Sequence, residues 1–247
     1  MENFEDGLRY LITVAMPQLV AAIPITLVLT IVSGVIGNLL ALPIAVARTS
    51  PNPLLWGPAY AYILVMRGTP LLIQLFFVYY GVGSLLPGTW VRHSWLWPYL
   101  REALWYAIFA FSLNTAGYSG EILRVGIQAV PQGEIEAGRA FGMTNWLIFW
   151  RITLPRAIRI QLPTMTGEVI LLLKATSLAS TITIPEIMGV RQDLFAQSFR
   201  VYSPLLGAAI IYVSLVFIFT RVLNWVERYL NRDRLAPAAV VLPAATP

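Results

Sequence analysis

EAGRAFGMTNWLIFWRITLP, residues 136–155, is the one long polar-to-amphipathic interruption in a chain otherwise made of apolar runs. It opens on Glu136 and the small residues Ala137 and Gly138, breaks at Gly142, and closes on Ile152, Leu154 and Pro155. A Glu-Ala-small start suits a short surface helix whose small side chains let another protein approach closely. Gly142 supplies a backbone able to turn sharply. Pro155 is expected to end or redirect the helical piece that follows.

Around this interruption, 57% of the residues are hydrophobic and only 12% are charged. So few charges in 247 residues mark a polytopic membrane protein. The net charge of +5 would suggest nucleic acid in a soluble protein. Here the arginines are scattered between apolar runs without a basic patch, so they set orientation in the bilayer and nucleic acid is not a partner. With no cysteine and only His93, neither a disulfide frame nor a metal site is supported.

The chain divides at its polar breaks. Residues 1–18 form a lead-in with Glu2, Glu5 and Asp6 and no basic region, which argues against a cleavable leader and for an N-terminus outside the cytoplasm. Spans are expected at 20–47, 54–86, 103–123, 162–184 and 204–226, each long enough to cross about 30 Å of hydrocarbon at about 1.5 Å per residue. Trp90, Trp95 and Trp97 mark a membrane–water interface between the second and third. Residues 231–247, rich in Ala, Pro and Val, read as a disordered tail. With five spans, Arg48, Arg124, Arg139, Arg151, Arg156, Arg159, Arg221, Arg228, Arg232 and Arg234 fall on one side and Arg9, Arg92, Arg101, Arg191 and Arg200 on the other. The richer side is the cytoplasm, which places the 136–155 loop and the C-terminus inside.

Several polar groups sit inside the apolar runs. Arg67-Gly68-Thr69-Pro70 interrupts the second, implying a kinked crossing whose loosened backbone faces protein or a hydrated route. Arg67 is either part of that kink or a substrate-facing group. Asn114, Tyr118 and Glu121 share one helical face of the third span. Glu168 and Lys174 lie in the fourth, about 600° apart at about 100° per residue, so they do not neutralise one another within the helix. Glu168 is the candidate for a cationic substrate group or, equally, a hydrogen-bond acceptor between helices. Lys174 reads as packing or gating.

The order Glu136-Ala137-Gly138, Gly142 four residues on, and Ile152-x-Leu154-Pro155 ten beyond that resembles the EAA loop of permease subunits of ABC-type importers. One position departs, since Gly138 stands where Ala is usual. Arg67-Gly-Thr-Pro-Leu-Leu-Ile-Gln-Leu and Ser112-Leu-Asn-Thr-Ala-Gly-Tyr118 are similar to motifs of the polar amino acid branch, including permeases for basic amino acids and opines. The resemblance covers roughly residues 19–227. It implies an all-α, type I importer permease of five transmembrane helices over residues 19–230, in a bacterial inner membrane. It also implies a cytoplasmic coupling loop at 131–157, whose Glu136, Ala137, Gly138, Phe141, Gly142, Leu154 and Pro155 dock on an ATPase. Implied partners are two ATPase subunits carrying ATP and Mg, a second permease subunit (identical or related) and a periplasmic substrate-binding protein. Glu168, Asn114, Tyr118, Arg67 and Lys174 would line the substrate path.

The chain itself offers no means of hydrolysing ATP. A P-loop needs Gly-x-x-x-x-Gly-Lys-Ser/Thr, and the single lysine, Lys174, follows Leu171-Leu172-Leu173. One histidine and no cysteine exclude the familiar nucleophilic triads. The rival reading is an ion- or proton-coupled secondary transporter using Glu168 or Glu121, which predicts inverted repeats; no internal repeat is visible. A purely structural subunit would leave Arg67, Glu168 and Lys174 as packing alone.

Overall fold

A chain this apolar must satisfy its backbone internally, and it does so with helices. The computed structural model describes all residues except 1–3, 86–91, 96 and 231–247, so Trp90 and the tail at 231–247 lie outside the described residues. Among the described residues there is no strand. Helices α1 (Phe4–Tyr10), α2 (Met16–Ala21) and α3 (Ile23–Thr49) follow one another almost without interruption. The lead-in is therefore helical, and Leu11, Ala15 and Leu19 pack into a core with residues from the C-terminal half of the chain.

Asn52 starts α4 (Pro53–Gly68) by accepting the Leu54 backbone N–H at 3.0 Å. The chain then bends by 108° into α5 (Leu71–Phe76) and its π-helical continuation at Phe77–Val82. The kink expected at Arg67–Pro70 is thus a sharp elbow. After it come α6 (Ala103–Gln128), α7 (Gln132–Ala140) and α8 (Asn145–Ile148), with α8 running through a π turn at Phe149–Thr153 into α9 (Leu154–Ala175). α9 tightens into a 3₁₀ segment, Thr176–Ile182, before α10 (Ile187–Ser198) and α11 (Tyr202–Leu230).

Pro155 corrects the sequence expectation. It neither ends nor redirects its helix, because the π turn widens the backbone just before it. A helical proline clashes with the carbonyl four residues earlier. Here that residue is Arg151, the centre of Phe149–Thr153. The same device recurs at Pro17, whose fourth predecessor, Thr13, is the centre of the π turn Leu11–Ala15. In each case the wide turn moves the obstructing carbonyl aside and the helix continues.

α6 is the hub. Its buried positions are mostly small, among them Ala107, Ala110, Ser112, Thr115, Ala116, Gly117, Ser119 and Gly120, so neighbouring helices come close. Gly37 of α3 leaves so little room that an added Cβ would sit 2.6 Å from Thr115 Cβ and 2.9 Å from the Ser112 carbonyl oxygen. A Cβ at Gly117 would lie 2.6 Å from Met66 Cβ of α4.

By length and composition, three helical runs suffice to cross a membrane: Glu5–Thr49, Asn145–Ile182 and Tyr202–Leu230. The bent pair Pro53–Gly68 and Leu71–Val82 makes a fourth if counted as one crossing. At 26 residues α6 is long enough as well. Its small and hydroxylated surface lowers its apolarity because it faces protein.

Candidate functional site

Two places gather the residues singled out above. The first is the surface helix α7 and the turn after it. Gly142 adopts φ +76°, the left-handed region that favours glycine. Its N–H donates to the Arg139 carbonyl at 2.9 Å, while the Met143 N–H donates to the Gly138 carbonyl at 3.1 Å. This C-cap stops α7 abruptly and leaves Phe141 on the outside, 88% exposed. Glu136 and Ala137 are exposed too.

Gly138 is different. It is buried, and an added Cβ would lie 2.9 Å from Ile152 Cδ1 and 3.2 Å from Ile148 Cγ1. Its small size serves packing of α7 on the chain's own α8–α9 run, while Ala137 faces outward. Leu154 is likewise buried, in a cluster with Ala45, Leu123, Val130 and Ala157. Pro155 is exposed and lines a cavity of about 320 Å³ with Glu134, Arg151, Ile152, Arg156 and Arg159. In that cavity Arg156 Nη2 meets Glu134 Oε1 at 3.1 Å and moors α7 to the first turn of α9.

The second place is a cavity of about 500 Å³ at the elbow. Arg67, Thr69, Pro70, Asn114, Tyr118 and Glu168 line it together with apolar residues. Four residues expected on a substrate path thus converge, from α4, α6 and α9. Lys174 does not join them; it is exposed, outside the lining. The Arg67 guanidinium lies over the Tyr118 ring, 5.4 Å from its centroid, a cation–π contact that holds the charge without consuming its N–H donors. Among the described ion pairs none joins Arg67 to Glu168.

Glu121 shares a helical face with Asn114 and Tyr118 but serves a different cluster. Arg124 engages it from two nitrogens, Nε at 2.9 Å and Nη2 at 2.7 Å, and Arg48 Nε stands at 4.0 Å. Arg48 also lies over the rings of Trp56 and Tyr60, at 5.2 and 4.9 Å. The cluster ties α3, α4 and α6 together and compensates the glutamate's charge.

Sequence reasoning missed two residues. Gln74, one turn beyond Pro70, fastens the elbow through hydrogen bonds at 2.8 to 3.1 Å, and its signal was a lone amide in an apolar run. Glu186 is fully buried and caps α10, accepting from the Met188 and Gly189 N–H groups at 2.7 and 3.0 Å and from the Tyr212 hydroxyl at 2.7 Å. Burial raises its pKa, and the hydrogen bonds from Tyr212 and the backbone partly offset this. Glutamate is an unusual cap, so Pro185-Glu186 carries no recognisable helix-start signal in sequence.

The described residues thus form a bundle of apolar helices with a sharply capped surface helix and a polar cavity at a sharp bend. Residues 37–232 match the family described as "binding-protein-dependent transport system inner membrane component", and the chain belongs to that family. It is 47% identical to the octopine transport system permease protein OccM of Rhizobium meliloti, over 87% of each chain. Identity to the nopaline permease NocM of Agrobacterium fabrum is 40%, over 95% of this chain and 97% of NocM. It is 36% for the histidine/lysine/arginine/ornithine permease HisM of Escherichia coli, over 83% and 86%. The fold is similar to that in a crystal structure of an amino acid ABC transporter with histidines, at a TM-score of 0.76 and 29% identity over 93% of this chain and 99% of the other.

Proposed function

We propose that this chain is the permease subunit of an ATP-driven importer of basic amino acids or opines in a bacterial inner membrane. The observation that carries the coupling part is the exposed Phe141 at the Gly142 cap, on a helix held to the rest of the chain by Gly138 packing and by Arg156–Glu134. An apolar side chain so exposed on a rigid support suits a socket on another protein. Glu136, Ala137 and Phe141 face that socket; Gly138, Gly142, Leu154 and Pro155 shape the support. The substrate class is supported by the relatives named above and by a cavity that offers both Arg67 and Glu168.

In this reading there are five crossings, with α4 and α5 as one bent crossing and α6 as the central one, the N-terminus outside and α7 inside. Two ATPase subunits close on ATP and carry α7 of this subunit and the equivalent element of a second permease subunit with them. The bundle rocks, and a periplasmic binding protein delivers substrate to the opened path. This chain contributes no bond-breaking step. The test uses the absence of native cysteine. A cysteine placed at exposed Ala140 should react with an impermeant thiol reagent only from the cytoplasmic side, and the tagged chain should co-purify with an ATPase. Labelling from outside, or purification of an active chain alone, would overturn the proposal.

A further inference from the structure

Two amides meet at the elbow, Asn114 in the cavity lining and Gln74 behind it, and their orientation can be deduced from their partners. Pro70 has no N–H, so the Met66 carbonyl, four residues earlier, loses its helical donor. Two side chains replace it: Gln74 Nε2 at 2.9 Å and Asn114 Nδ2 at 3.3 Å. The other Gln74 Nε2 hydrogen is shared between the Thr69 carbonyl at 3.1 Å and Thr69 Oγ1 at 2.8 Å. A carbonyl only accepts, so the Gln74 nitrogen must point at Met66 and Thr69. Its Oε1 is then what faces Asn114, and Asn114 Nδ2 donates to it at 2.9 Å. Flipping either amide would set oxygen against oxygen at Met66. Both Nδ2 hydrogens of Asn114 are therefore used, and Oδ1 has no hydrogen-bond partner among the described residues.

From this we infer that Gln74 is a specificity-determining positioning residue: it fixes the Asn114 amide so that Oδ1 is left as an acceptor in the cavity that Glu168 and Arg67 also line. The inference rests on the proposed use of this cavity as a substrate site and deepens it. The ligand class follows from the donors and acceptors that line the cavity. Arg67, held by Tyr118 with its N–H groups unspent, suits a carboxylate. Asn114 Oδ1 and Glu168 together suit a cationic, N–H-rich group such as a guanidinium. Gln74 touches no ligand in this scheme. It sets what Asn114 can offer, because an unfastened asparagine can present its amide nitrogen to the cavity and repel a cation.

The test measures ligand binding to the purified transporter, permease with its ATPase, in lipid nanodiscs without the binding protein or nucleotide. The probes are radiolabelled arginine, citrulline (its neutral near-isostere) and agmatine (arginine without the carboxylate). The unmodified protein should bind arginine at least about tenfold more tightly than either analogue. Gln74→Leu should bring the arginine-to-citrulline ratio close to one while leaving the arginine-to-agmatine ratio within about twofold. Thermal unfolding of each variant is followed alongside, and Asn114→Leu should reproduce the same loss of charge selectivity. A merely structural role would weaken all three ligands equally, and an unchanged arginine-to-citrulline ratio in Gln74→Leu would overturn the inference alone. Failure of the unmodified protein to bind arginine would overturn the use of the cavity as well.

Discussion

The Arg156 guanidinium, in the first turn of α9, meets the Glu134 carboxylate of α7 at 3.1 Å. Both side chains are about one third exposed, at 32% and 36%. Solvent screening therefore limits the pair to at most about 1 kcal/mol of stability. Its value lies in register. Arg156→Gln should leave thermal unfolding almost unchanged yet lower uptake per ATP hydrolysed by several-fold, measured in proteoliposomes containing the complete transporter. A matched fall in hydrolysis and uptake would instead mean lost assembly.

Gly138 predicts a graded series. An alanine needs the end of Ile152, at 2.9 Å, and Cγ1 of Ile148, at 3.2 Å, to shift by a few tenths of an ångström. Gly138→Ala should retain most uptake, whereas Gly138→Leu should displace α7 at a cost of about 1–3 kcal/mol from overpacking. Co-purification of the ATPase with each variant gives the measurement.

Phe141 and Gly142 should separate by phenotype. Phe141 is 88% exposed, so Phe141→Ala should fold and insert normally but bind the ATPase more weakly by about tenfold or more. Gly142→Leu keeps the knob but forces a bulky residue into φ +76°, strained by about 1–3 kcal/mol, and should uncouple hydrolysis from uptake while insertion persists. Equal ATPase affinity in Phe141→Ala would remove it from the contact.

At the seam between α3 and α6, Gly37→Ala must push apart Thr115 Cβ at 2.6 Å and a backbone oxygen at 2.9 Å. Neither can rotate away. The expected loss is about 1–3 kcal/mol, read as a lower unfolding temperature in detergent.

Glu186 gives a pH prediction. Burial raises its folded pKa, so between the unfolded and folded values the native chain holds the proton more tightly than the unfolded one. Its contribution to stability is fully present below the unfolded pKa and declines as pH rises through the folded one. Glu186→Gln should flatten that decline, seen as a smaller difference in unfolding temperature between acidic and mildly alkaline buffer.

The bend at Arg67–Pro70, the interruption at 136–155 and the shared face of Asn114 and Tyr118 were legible because each is a polar or conformational exception in an apolar background. Pro155 misled because a proline in sequence says nothing of a π turn placed to accommodate it. Gly138 looked like an outward small residue, since a gap for a partner and a gap for Ile152 read identically in one dimension. Lys174 stood out only by being charged; its exposure depends on how α9 rotates against its neighbours. Gln74 and Glu186 were hidden because their roles come from partners far along the chain or from an uncommon cap.

The Met66 carbonyl, left without a backbone donor by Pro70 and served by two side-chain amides, has a mechanical consequence. An intact helix bends sharply only by stripping main-chain bonds in a solvent that offers no substitutes. Here the fastening comes from two side chains on different helices, Gln74 and Asn114, so the carbonyl does not depend on a single donor. The bend therefore keeps its exposed carbonyl hydrogen-bonded even where one of the two donors is lost.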